Sequence, residues 1–410
     1  MARVVIVGAA LAGTRTAQAL RTSGFDGEIV VLGAEPHPPY DRPPLSKSFL
    51  RTAPTGRTDL DLLDSQSWKS AEIDLRLGTA AVGLDVAAQR VRTEQTGIDY
   101  DVCVVATGAA ARTTGWSPSS HVFSLRTVDD ALKLRTRLAR GVRLAVVGAG
   151  FIGSEVASTA REIGCEVTVI DPMPVPLYRS LGPDVGAVLA PLPQRFGVET
   201  RLGVGVDAIR DSRRSAELVL TDGSCLEVDI VVAGIGAVPN DAWLTGSGLA
   251  VADGVVCDRF CRAVGREDIF AVGDVARYPH PVSGQLVRSE HWTNAIEQAT
   301  VVAHNIVNPD DLSAYRPTDY VWSDQYGVKL QLSGDVAGSA YHEVVGTLDF
   351  AGEQLGAAIL CADAEDRLIG SVTVNRPRVS VQVRRMIAQG MPFASALESV
   401  RESCGERTVV

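Results

Sequence analysis

The chain has 410 residues, of which 46% are apolar and 21% charged, and its formal net charge is −10 at pH 7. That length allows two or three domains with their own cores, and the composition is that of an ordinary soluble globular protein. The acidic net charge argues against nucleic-acid binding, and no apolar run approaches the roughly 18 residues that a membrane helix requires.

The first predicted strand starts at Arg3 and leaves no room for a secretory leader, which favours a cytoplasmic protein. The seven cysteines are odd in number, and only Cys257 and Cys261 are close in sequence. Their spacing matches neither a common redox motif nor a zinc motif, so we predict no metal site. We interpret the cysteines as buried thiols in a reducing compartment.

The N-terminal segment predicts a strand, a helix to about Ser23 and a second strand that ends before Glu35. The turn between the first strand and the helix carries Gly8, Ala10 and Gly13, a G-x-A-x-x-G variant of the dinucleotide fingerprint. We expect the start of the helix, with Leu11 and Ala12, and the acidic residue Glu35 to contribute to the same site. Taken alone, this pattern also fits an unrelated strand–turn–helix.

Residues 39 to 50 read PYDRPPLSKSFL and contain Arg42 and Lys47 but no cysteine. Pro43 and Pro44 stiffen this segment. A lone lysine is usually a solvated surface residue, so the composition of the segment does not by itself assign a role to Lys47.

Residues 142 to 171 repeat the strand–helix–strand pattern with the full fingerprint, in which Gly148, Gly150 and Gly153 are in register. The helix that starts with Phe151 and Ile152 offers free N–H groups to a pyrophosphate. Asp171 ends the second strand, where a carboxylate accepts hydrogen bonds from ribose hydroxyls and repels a 2′-phosphate. We therefore expect NADH rather than NADPH.

Three further features fit a protein with two dinucleotides. Buried strands end at Thr107 and Gly108, and at Gly236. A third strand places Asp274 just past its end, where a carboxylate can hydrogen-bond the ribityl hydroxyls of a flavin.

Six ordered motifs resemble the two-dinucleotide flavoprotein reductases, and among them the bacterial FAD-dependent NADH:ferredoxin reductases of the putidaredoxin reductase type. The motifs are PYDRPPLSK, GAGFIGSEVA, GIGAVPN, DIFAVGDVA, EHWTNAIEQA and VWSDQYGVKLQLSG, and the resemblance covers residues 3 to about 390. The chain departs from the pattern at Ala10.

The resemblance implies an α/β fold with two Rossmann-like βαβ domains, arranged as in glutathione reductase, and an α+β C-terminal domain. The expected FAD domain is discontinuous and comprises residues 1–111 and 240–316. The expected NAD domain covers residues 112–239, and residues 317–410 form the C-terminal domain with one terminal helix near 379–402. Residues 51–61 should form a polar loop, and the chain should end in a loose tail from Glu402.

The resemblance also implies roles for particular residues. Lys47 pairs with Glu155, which follows the second fingerprint, and the two stabilise charge on the reduced flavin. Arg42 points toward the flavin, Trp292 lies along its ring system at a helix start, and Trp322 lies beside its pyrimidine side. Core packing is the alternative interpretation for both tryptophans.

Related enzymes that reduce disulfides carry cysteines near the position of PYDRPPLSK, and this chain has none there. Electrons from NADH and FAD must therefore leave for a separate acceptor, and the resemblance implies a [2Fe–2S] ferredoxin that serves an oxygenase. We expect a haem-thiolate (cytochrome P-450) monooxygenase. An NADH oxidase, a quinone or small-molecule reductase of the same fold, and a non-catalytic signalling protein are alternatives.

Ferredoxins of this kind are acidic, so a basic docking face is expected. Residues 371–390 contain no acidic residue but carry Arg376, Arg378, Arg384 and Arg385. We predict docking there, although a basic stretch is often only a solvated surface. The sequence does not distinguish a monomer from a homodimer, and we expect no nucleic-acid or membrane partner.

Overall fold

The computed structural model describes residues 2–51, 60–116, 119–352 and 354–404. Its helices are α1 Leu11–Thr22, α2 Ser48–Arg51, α3 Ser65–Ser70, α4 Val128–Arg135, α5 Phe151–Ile163, α6 Tyr178–Leu189, α7 Leu192–Arg195, α8 Trp292–Val307, α9 Pro377–Ala388 and α10 Phe393–Cys404. Short 3₁₀ turns cover Pro43–Ser46, Ala242–Leu244 and Gly273–Val275.

The strands are β1 Arg3–Val7, β2 Glu28–Leu32, β3 Ile73–Arg76, β4 Ala81–Asp85, β5 Arg90–Thr93, β6 Gly97–Asp99, β7 Val102–Val105, β8 Ala109–Ala111, β9 Val122–Phe123, β10 Arg143–Val147, β11 Glu166–Asp171, β12 Glu199–Leu202, β13 Val206–Asp211, β14 Ala216–Leu220, β15 Cys225–Val228, β16 Ile230–Ala233, β17 Ala237–Pro239, β18 Val255–Val256, β19 Ile269–Ala271, β20 Ala276–Pro279, β21 Leu286–Val287, β22 Tyr320–Gln325, β23 Val328–Gly334, β24 Tyr341–Leu348, β25 Leu355–Ala362 and β26 Leu368–Val374.

The chain divides into two compact units. The first contains the described residues of 1–42, 55–110 and 237–317, and the second contains those of 43–54, 111–236 and 318–410. The segment from Pro43 to Arg51, which includes Lys47, therefore belongs to the second unit. The division into three domains with the boundaries expected above stays a prediction.

The first unit is built on a five-stranded parallel sheet in the order β19-β7-β1-β2-β3. Its central strands β7, β1 and β2 consist mainly of Val and Ile, and such apolar strands suit a sheet covered on both faces. Helices α1 and α8 pack against each other over this sheet. The predicted first βαβ unit is confirmed, and its turn opens at the carboxyl end of β1.

The second unit contains a parallel sheet in the order β12-β11-β10-β16-β9. Helix α5 connects β10 to β11, so the second fingerprint also lies on a strand–turn–helix. In both parallel sheets the fingerprint strand is central, with the following strand on one side and another parallel strand on the other. This arrangement places the fingerprint turn at the edge where such sheets bind ligands.

A five-stranded antiparallel sheet in the order β22-β23-β26-β25-β24 forms the C-terminal part of the second unit. Helices α9 and α10 pack on it through an apolar cluster that includes Val383 and Phe393. The expected mixed α/β fold with a C-terminal α+β part is confirmed.

The single terminal helix predicted near 379–402 is wrong. The chain forms α9 and α10 instead, because Gly390 adopts a positive φ of 62° and Pro392 follows it. Both features end a helix. The loose tail expected from Glu402 is also wrong in part, since Glu402 and Cys404 belong to α10. Its remaining residues, and most of the expected 51–61 loop, lie outside the described residues.

Two further expectations concern burial. Among the helices that the structure describes, none is both long and apolar enough to cross a membrane. The interpretation of the cysteines as buried holds for Cys103, Cys165, Cys257, Cys261 and Cys361. It is wrong for Cys225, which is exposed on the edge strand β15, and Cys404 is half-buried.

Candidate functional site

The first fingerprint turn brings three backbone segments into contact. Gly8 has a φ of +118°, and a Cβ there would lie 2.2 Å from the carbonyl oxygen of Ala106. A Cβ on Gly13 would lie 1.8 Å from the carbonyl oxygen of Gly8. Only glycine fits at either position, because any side chain would displace the backbone of β1, α1 or the turn after β7.

Helix α1 begins without a side-chain cap. Its N-cap residue is Ala10, in extended conformation, and no acidic residue lies in the first turn. By contrast, α4 begins with a capping box formed by Thr127 and Asp130. The uncapped N–H groups of α1 remain available to an anion such as a pyrophosphate.

A cavity of about 330 Å³ lies at this turn within the first unit. It brings together Gly8, Ala10, Glu35, Arg42 and Thr107, which are five of the residues predicted to bind FAD. Backbone N–H groups, a guanidinium and a carboxylate at one cavity suit the phosphate and ribose groups of a dinucleotide. The residues present therefore fit FAD.

Glu35 and Arg42 contact each other directly. The carboxylate of Glu35 accepts a hydrogen bond from the hydroxyl of Tyr40 at 2.6 Å and one from Nη2 of Arg42 at 2.7 Å. Both side chains of this ion pair are about one-third exposed or less. The carboxylate of Glu35, three residues after β2, therefore holds the Arg42 guanidinium that was predicted to approach the flavin.

The other residues of the predicted FAD set in this unit lie outside the cavity lining. Leu11 and Ala12 begin α1, and Gly273 approaches Ala12 so closely that its Cβ would lie 2.9 Å from that of Ala12. Asp274 therefore lies on a turn packed against α1. Gly108 follows Thr107 with a φ of +65°.

Trp292 is the first residue of α8, as the sequence predicted. Its indole Nε1 donates a hydrogen bond to Oδ1 of Asp41 at 2.9 Å. Asp41 belongs to PYDRPP and was not singled out by the sequence pattern. This hydrogen bond fixes the orientation of the indole against the loop that also carries Arg42.

The second fingerprint turn repeats the geometry of the first. Gly148 has a φ of +109°, and a Cβ there would lie 2.3 Å from the carbonyl oxygen of Gly234; on Gly153 it would lie 1.9 Å from that of Gly148. At Gly150, the N-cap of α5, a built Cβ has no atom within 4 Å among the described residues other than Gly150 and its chain neighbours. Phe151 and Ile152 begin α5, and Ile152 is 45% exposed. The residues fit a second dinucleotide, since an open surface faces the uncapped helix start.

Asp171 lies at the end of β11, beside this turn. One carboxylate oxygen accepts from the backbone N–H of Ala149 at 2.6 Å, and the other accepts from that of Met173 at 2.7 Å. Gly236, with a φ of +102°, follows β16, which lies on the other side of β10 from β11, and a Cβ there would lie 3.8 Å from Nη1 of Arg179. Arg179 stands eight positions after Asp171 in the chain, and this spacing did not indicate that the two side chains lie at the same site.

Lys47 and Glu155 form the pair that the sequence predicted. Nζ of Lys47 lies 2.7 Å from Oε2 of Glu155, whose side chain is only 4% exposed. Glu155 lies one turn into α5, and Lys47 lies between the 3₁₀ turn Pro43–Ser46 and α2. The backbone amides of Leu50 and Arg51 bond the carbonyl of Lys47, so short-range helical bonds hold the lysine in place.

Two serines that the sequence analysis missed also bond Glu155. Oγ of Ser46 donates to Oε2 at 2.5 Å, and Oγ of Ser323 donates to Oε1 at 2.6 Å. Ser46 directly precedes Lys47 and Ser323 directly follows Trp322, but nothing in their spacing showed that they converge on Glu155. The indole of Trp322 stacks on Tyr320, with ring centroids 6.0 Å apart.

The five buried thiols are unreactive because of their surroundings. Burial raises the pKa of Cys103, Cys165 and Cys261, and it raises the pKa of Cys257 and of Cys361 to about 12. A thiolate is the reactive form of cysteine, so these side chains are inert near neutral pH.

The four arginines of the predicted docking surface differ in their surroundings. Arg378 and Arg385 are exposed and lie seven residues apart on α9, so they share one face of the helix. The guanidinium of Arg384 covers the ring of Tyr320 at 4.4 Å from its centroid. Arg376, the N-cap of α9, lies against Gly356.

The chain matches two known protein families along most of its length. Residues 2–299 match the pyridine nucleotide-disulphide oxidoreductase family, and residues 320–399 match the reductase C-terminal family. The chain is 38% identical to rhodocoxin reductase of Rhodococcus erythropolis, over 95% of this chain and 90% of that one. It is 39% identical to the anthranilate 1,2-dioxygenase system ferredoxin–NAD(+) reductase component of Burkholderia cepacia, over 94% of each.

Solved structures agree with these relatives. The ferredoxin reductase for the CYP199A2 system from Rhodopseudomonas palustris superposes with a TM-score of 0.90 at 30% identity, over 97% of both chains. The fold, the two fingerprint turns and these matches confirm the predicted resemblance. With both turns shaped for a dinucleotide, the chain belongs to the pyridine nucleotide-disulphide oxidoreductase family, as a flavoprotein oxidoreductase that uses FAD and NADH.

Proposed function

We propose that this protein is an NADH:ferredoxin reductase that passes electrons from NADH through FAD to a [2Fe–2S] ferredoxin. The observation that carries this proposal is the segment Pro43–Arg51. It packs on α5 through the ion pair of Lys47 and Glu155 and contains no thiol. Without a cysteine there, electrons have no covalent protein acceptor and must leave for a separate acceptor, which we propose to be the ferredoxin.

The two fingerprint turns divide the binding of the cofactors. The start of α1, with Gly8, Ala10 and Gly13, would hold the FAD pyrophosphate, and Glu35, Arg42, Thr107 and Asp274 would hold its remaining polar groups. The start of α5 would hold NADH, with Asp171 at the ribose. Bound FAD supplies the conversion of a two-electron donor into one-electron transfers, and the protein supplies position and charge. Lys47 is proposed to stabilise the negative charge of the reduced cofactor, with Glu155 as its counter-ion.

We place the ferredoxin on α9. Arg378 and Arg385 place two positive charges on one exposed face of α9, and neither forms an ion pair within the described residues. Arg384 adds a third positive charge beside Tyr320. In a chain with a net charge of −10, this local basic face would attract an acidic partner and orient it. Substituting Arg378 and Arg385 with glutamate should raise the KM for the ferredoxin about tenfold and reduce its dependence on salt. The exposed pair Arg213 and Arg214, changed in the same way, is the matched control.

The downstream enzyme is proposed to be an oxygenase, and specifically a haem-thiolate monooxygenase. The reductase components similar to this chain serve an anthranilate dioxygenase in one case and the CYP199A2 system in another.

The test is anaerobic and spectrophotometric. NADH should bleach the flavin of the purified protein, NADPH should do so more slowly, and cytochrome c should then be reduced only when a [2Fe–2S] ferredoxin is added. Bleaching without any dependence on several ferredoxins, together with rapid oxygen or quinone reduction, would assign an oxidase or quinone reductase instead. Absence of bleaching with either nucleotide would overturn the proposal.

A further inference from the structure

One face of helix α5 makes a set of buried polar contacts within the second unit. Glu155 contacts Ser46, Lys47 and Ser323, and Oγ of Ser158, one turn later, accepts from the backbone N–H of Tyr326 at 2.7 Å. The helix whose N-terminus would bind NADH thus also holds the lysine segment and the hairpin of β22 and β23.

The carboxylate of Glu155 needs more than one partner. A buried ionised carboxylate is strongly destabilising unless both oxygens are bonded, and Lys47 reaches only Oε2. Ser323, which is fully buried, bonds Oε1, and Ser46 adds a second donor at Oε2. The two hydroxyls complete the hydrogen bonding that the charged form requires.

Neighbours hold both serines at the carboxylate. Nε2 of Gln325 donates to Oγ of Ser323 at 3.1 Å, so the hydroxyl proton of Ser323 is left to point toward Glu155. Oγ1 of Thr159 donates to the backbone carbonyl of Ser46 at 2.8 Å and ties the backbone of that serine to α5. The hydroxyl of Ser46 lies 2.5 Å from Oε2 of Glu155 and 3.3 Å from the carbonyl of Pro43, so the carboxylate is its nearer acceptor.

The ammonium of Lys47 is oriented as a result. One N–H points to Glu155, a second to the carbonyl of Pro43 at 3.2 Å, and the third has no partner among the described residues. If Glu155 moved or became neutral, the lysine would keep only the bond to the Pro43 carbonyl.

We propose that Ser46 and Ser323 are positioning residues that hold the carboxylate of Glu155 in one orientation, so that Lys47 presents its ammonium in one orientation. This inference rests on the proposed function, because the oriented charge matters only if the cofactor is reduced. It predicts that loss of either hydroxyl slows cofactor reduction without changing NADH affinity.

The experiment compares Ser323→Ala, Ser323→Thr and Ser333→Ala in the FAD-loaded protein. Ser333 is the matched control, since it is 1% exposed in the neighbouring strand β23 and its hydroxyl has no hydrogen-bond partner in the described residues. The first readout is the rate at which a soluble amine-acylating reagent modifies Lys47, measured by mass spectrometry. The second is the rate of flavin bleaching by NADH in stopped flow, separated from the NADH dissociation constant.

Ser323→Ala should raise the acylation rate of Lys47 about fivefold and lower the bleaching rate about tenfold, because a bond to a charged group is lost. Ser323→Thr should restore both rates, and Ser333→Ala should change neither. Equal behaviour of Ser323→Ala and Ser333→Ala would overturn the inference. So would a threonine variant as slow as the alanine variant, since packing would then be responsible.

Two further outcomes are also decisive. If Ser323→Ala does not fold, Ser46→Ala removes the donor at the other oxygen and should shift both readouts in the same directions. If NADH fails to bleach the wild-type protein, the proposed function is wrong, whereas the acylation rates of Lys47 still decide whether the serines hold the pair.

Discussion

The two fingerprint turns share one backbone geometry but differ where a ligand would lie. Gly8 and Gly148 have φ values of +118° and +109°, and a Cβ at either would lie within 2.3 Å of a carbonyl oxygen. Gly13 and Gly153 are equally crowded. At the position between them, the first turn has Ala10 and the second has Gly150. The first and third positions of the fingerprint, which are crowded by protein backbone, are glycine in both turns. The middle position is glycine only in the second turn.

The acidic residues at the ends of the second strands differ as well. Glu35 bonds the side chains of Tyr40 and Arg42, whereas Asp171 bonds the backbone amides of Ala149 and Met173. The first carboxylate thus organises a side chain that lines the cavity. The second ties its own fingerprint turn to the loop after β11.

The largest expected effect is that of Gly153→Ala. The new Cβ would lie 1.9 Å from the carbonyl oxygen of Gly148, so β10 and α5 must separate. We expect a loss of more than about 3 kcal/mol in the free energy of unfolding, measured in denaturant. Gly13→Ala should lower the free energy of unfolding by a similar amount. If either variant were as stable as the wild-type protein, the two turns would not be equivalent.

Gly150→Ala should leave the fold intact and weaken the binding of NADH. In the part of the chain that the structure describes, no residue beyond the chain neighbours of Gly150 comes within 4 Å of the new methyl, but a pyrophosphate on the start of α5 would meet it. We expect the KM for NADH to rise about tenfold, or about 1.4 kcal/mol, with an unchanged melting temperature and FAD content. A fall in melting temperature with an unchanged KM would contradict the assignment of this turn to NADH.

Asp171→Asn tests the choice between coenzymes. Removing the negative charge should reduce the preference for NADH over NADPH about fivefold in kcat/KM, because the repulsion of a 2′-phosphate is lost. It should also lower stability by about 1 kcal/mol, since the amide replaces an acceptor of a backbone N–H with a donor. Asp222→Asn, at an exposed turn, is the control and should leave the coenzyme ratio unchanged.

Ala10→Gly should make the first turn more like the second. Glycine is a slightly better N-cap than alanine and admits a closer approach of phosphate, so FAD should bind about twofold to threefold more tightly. Flavin release during dialysis against salt measures this. Weaker retention would show that the methyl of Ala10 packs against the cofactor.

The thiols of the two units should differ in reactivity, because both accessible cysteines lie in the second unit. A maleimide should label Cys225 and Cys404 in the native protein, and spare the five buried cysteines until the chain is unfolded. Raising the pH from 7 to 9 should not make the thiol of Cys257 react with maleimide, because its pKa is raised to about 12 and the thiol stays protonated. Labelling of Cys103 in the native state would indicate local opening of β7, whose carboxyl end packs against the first fingerprint turn.

Much of the molecule followed from local sequence. Glycine spacing after Val- and Ile-rich strands predicted both βαβ units, since a fingerprint turn is specified by a few neighbouring residues. The helix start at Trp292 and the ion pair of Lys47 with Glu155 were also predicted, the latter through resemblance. The break between α9 and α10 was missed because the apolar periodicity continues across Gly390 and Pro392.

The sequence by itself determined the two nucleotide-binding turns and the absence of cysteine from residues 39–50, because each depends on residues close together in the chain. It determined the fold class through the resemblance of motifs spread over residues 3 to about 390. Only the tertiary structure decided which side chains surround those residues. Ser46 and Ser323 meet on Glu155 from positions 109 and 168 residues away. Asp41 meets Trp292 across 251 residues, and Arg179 comes to lie beside Gly236. Such contacts are set by the packing of distant elements, and no local pattern of residues encodes them.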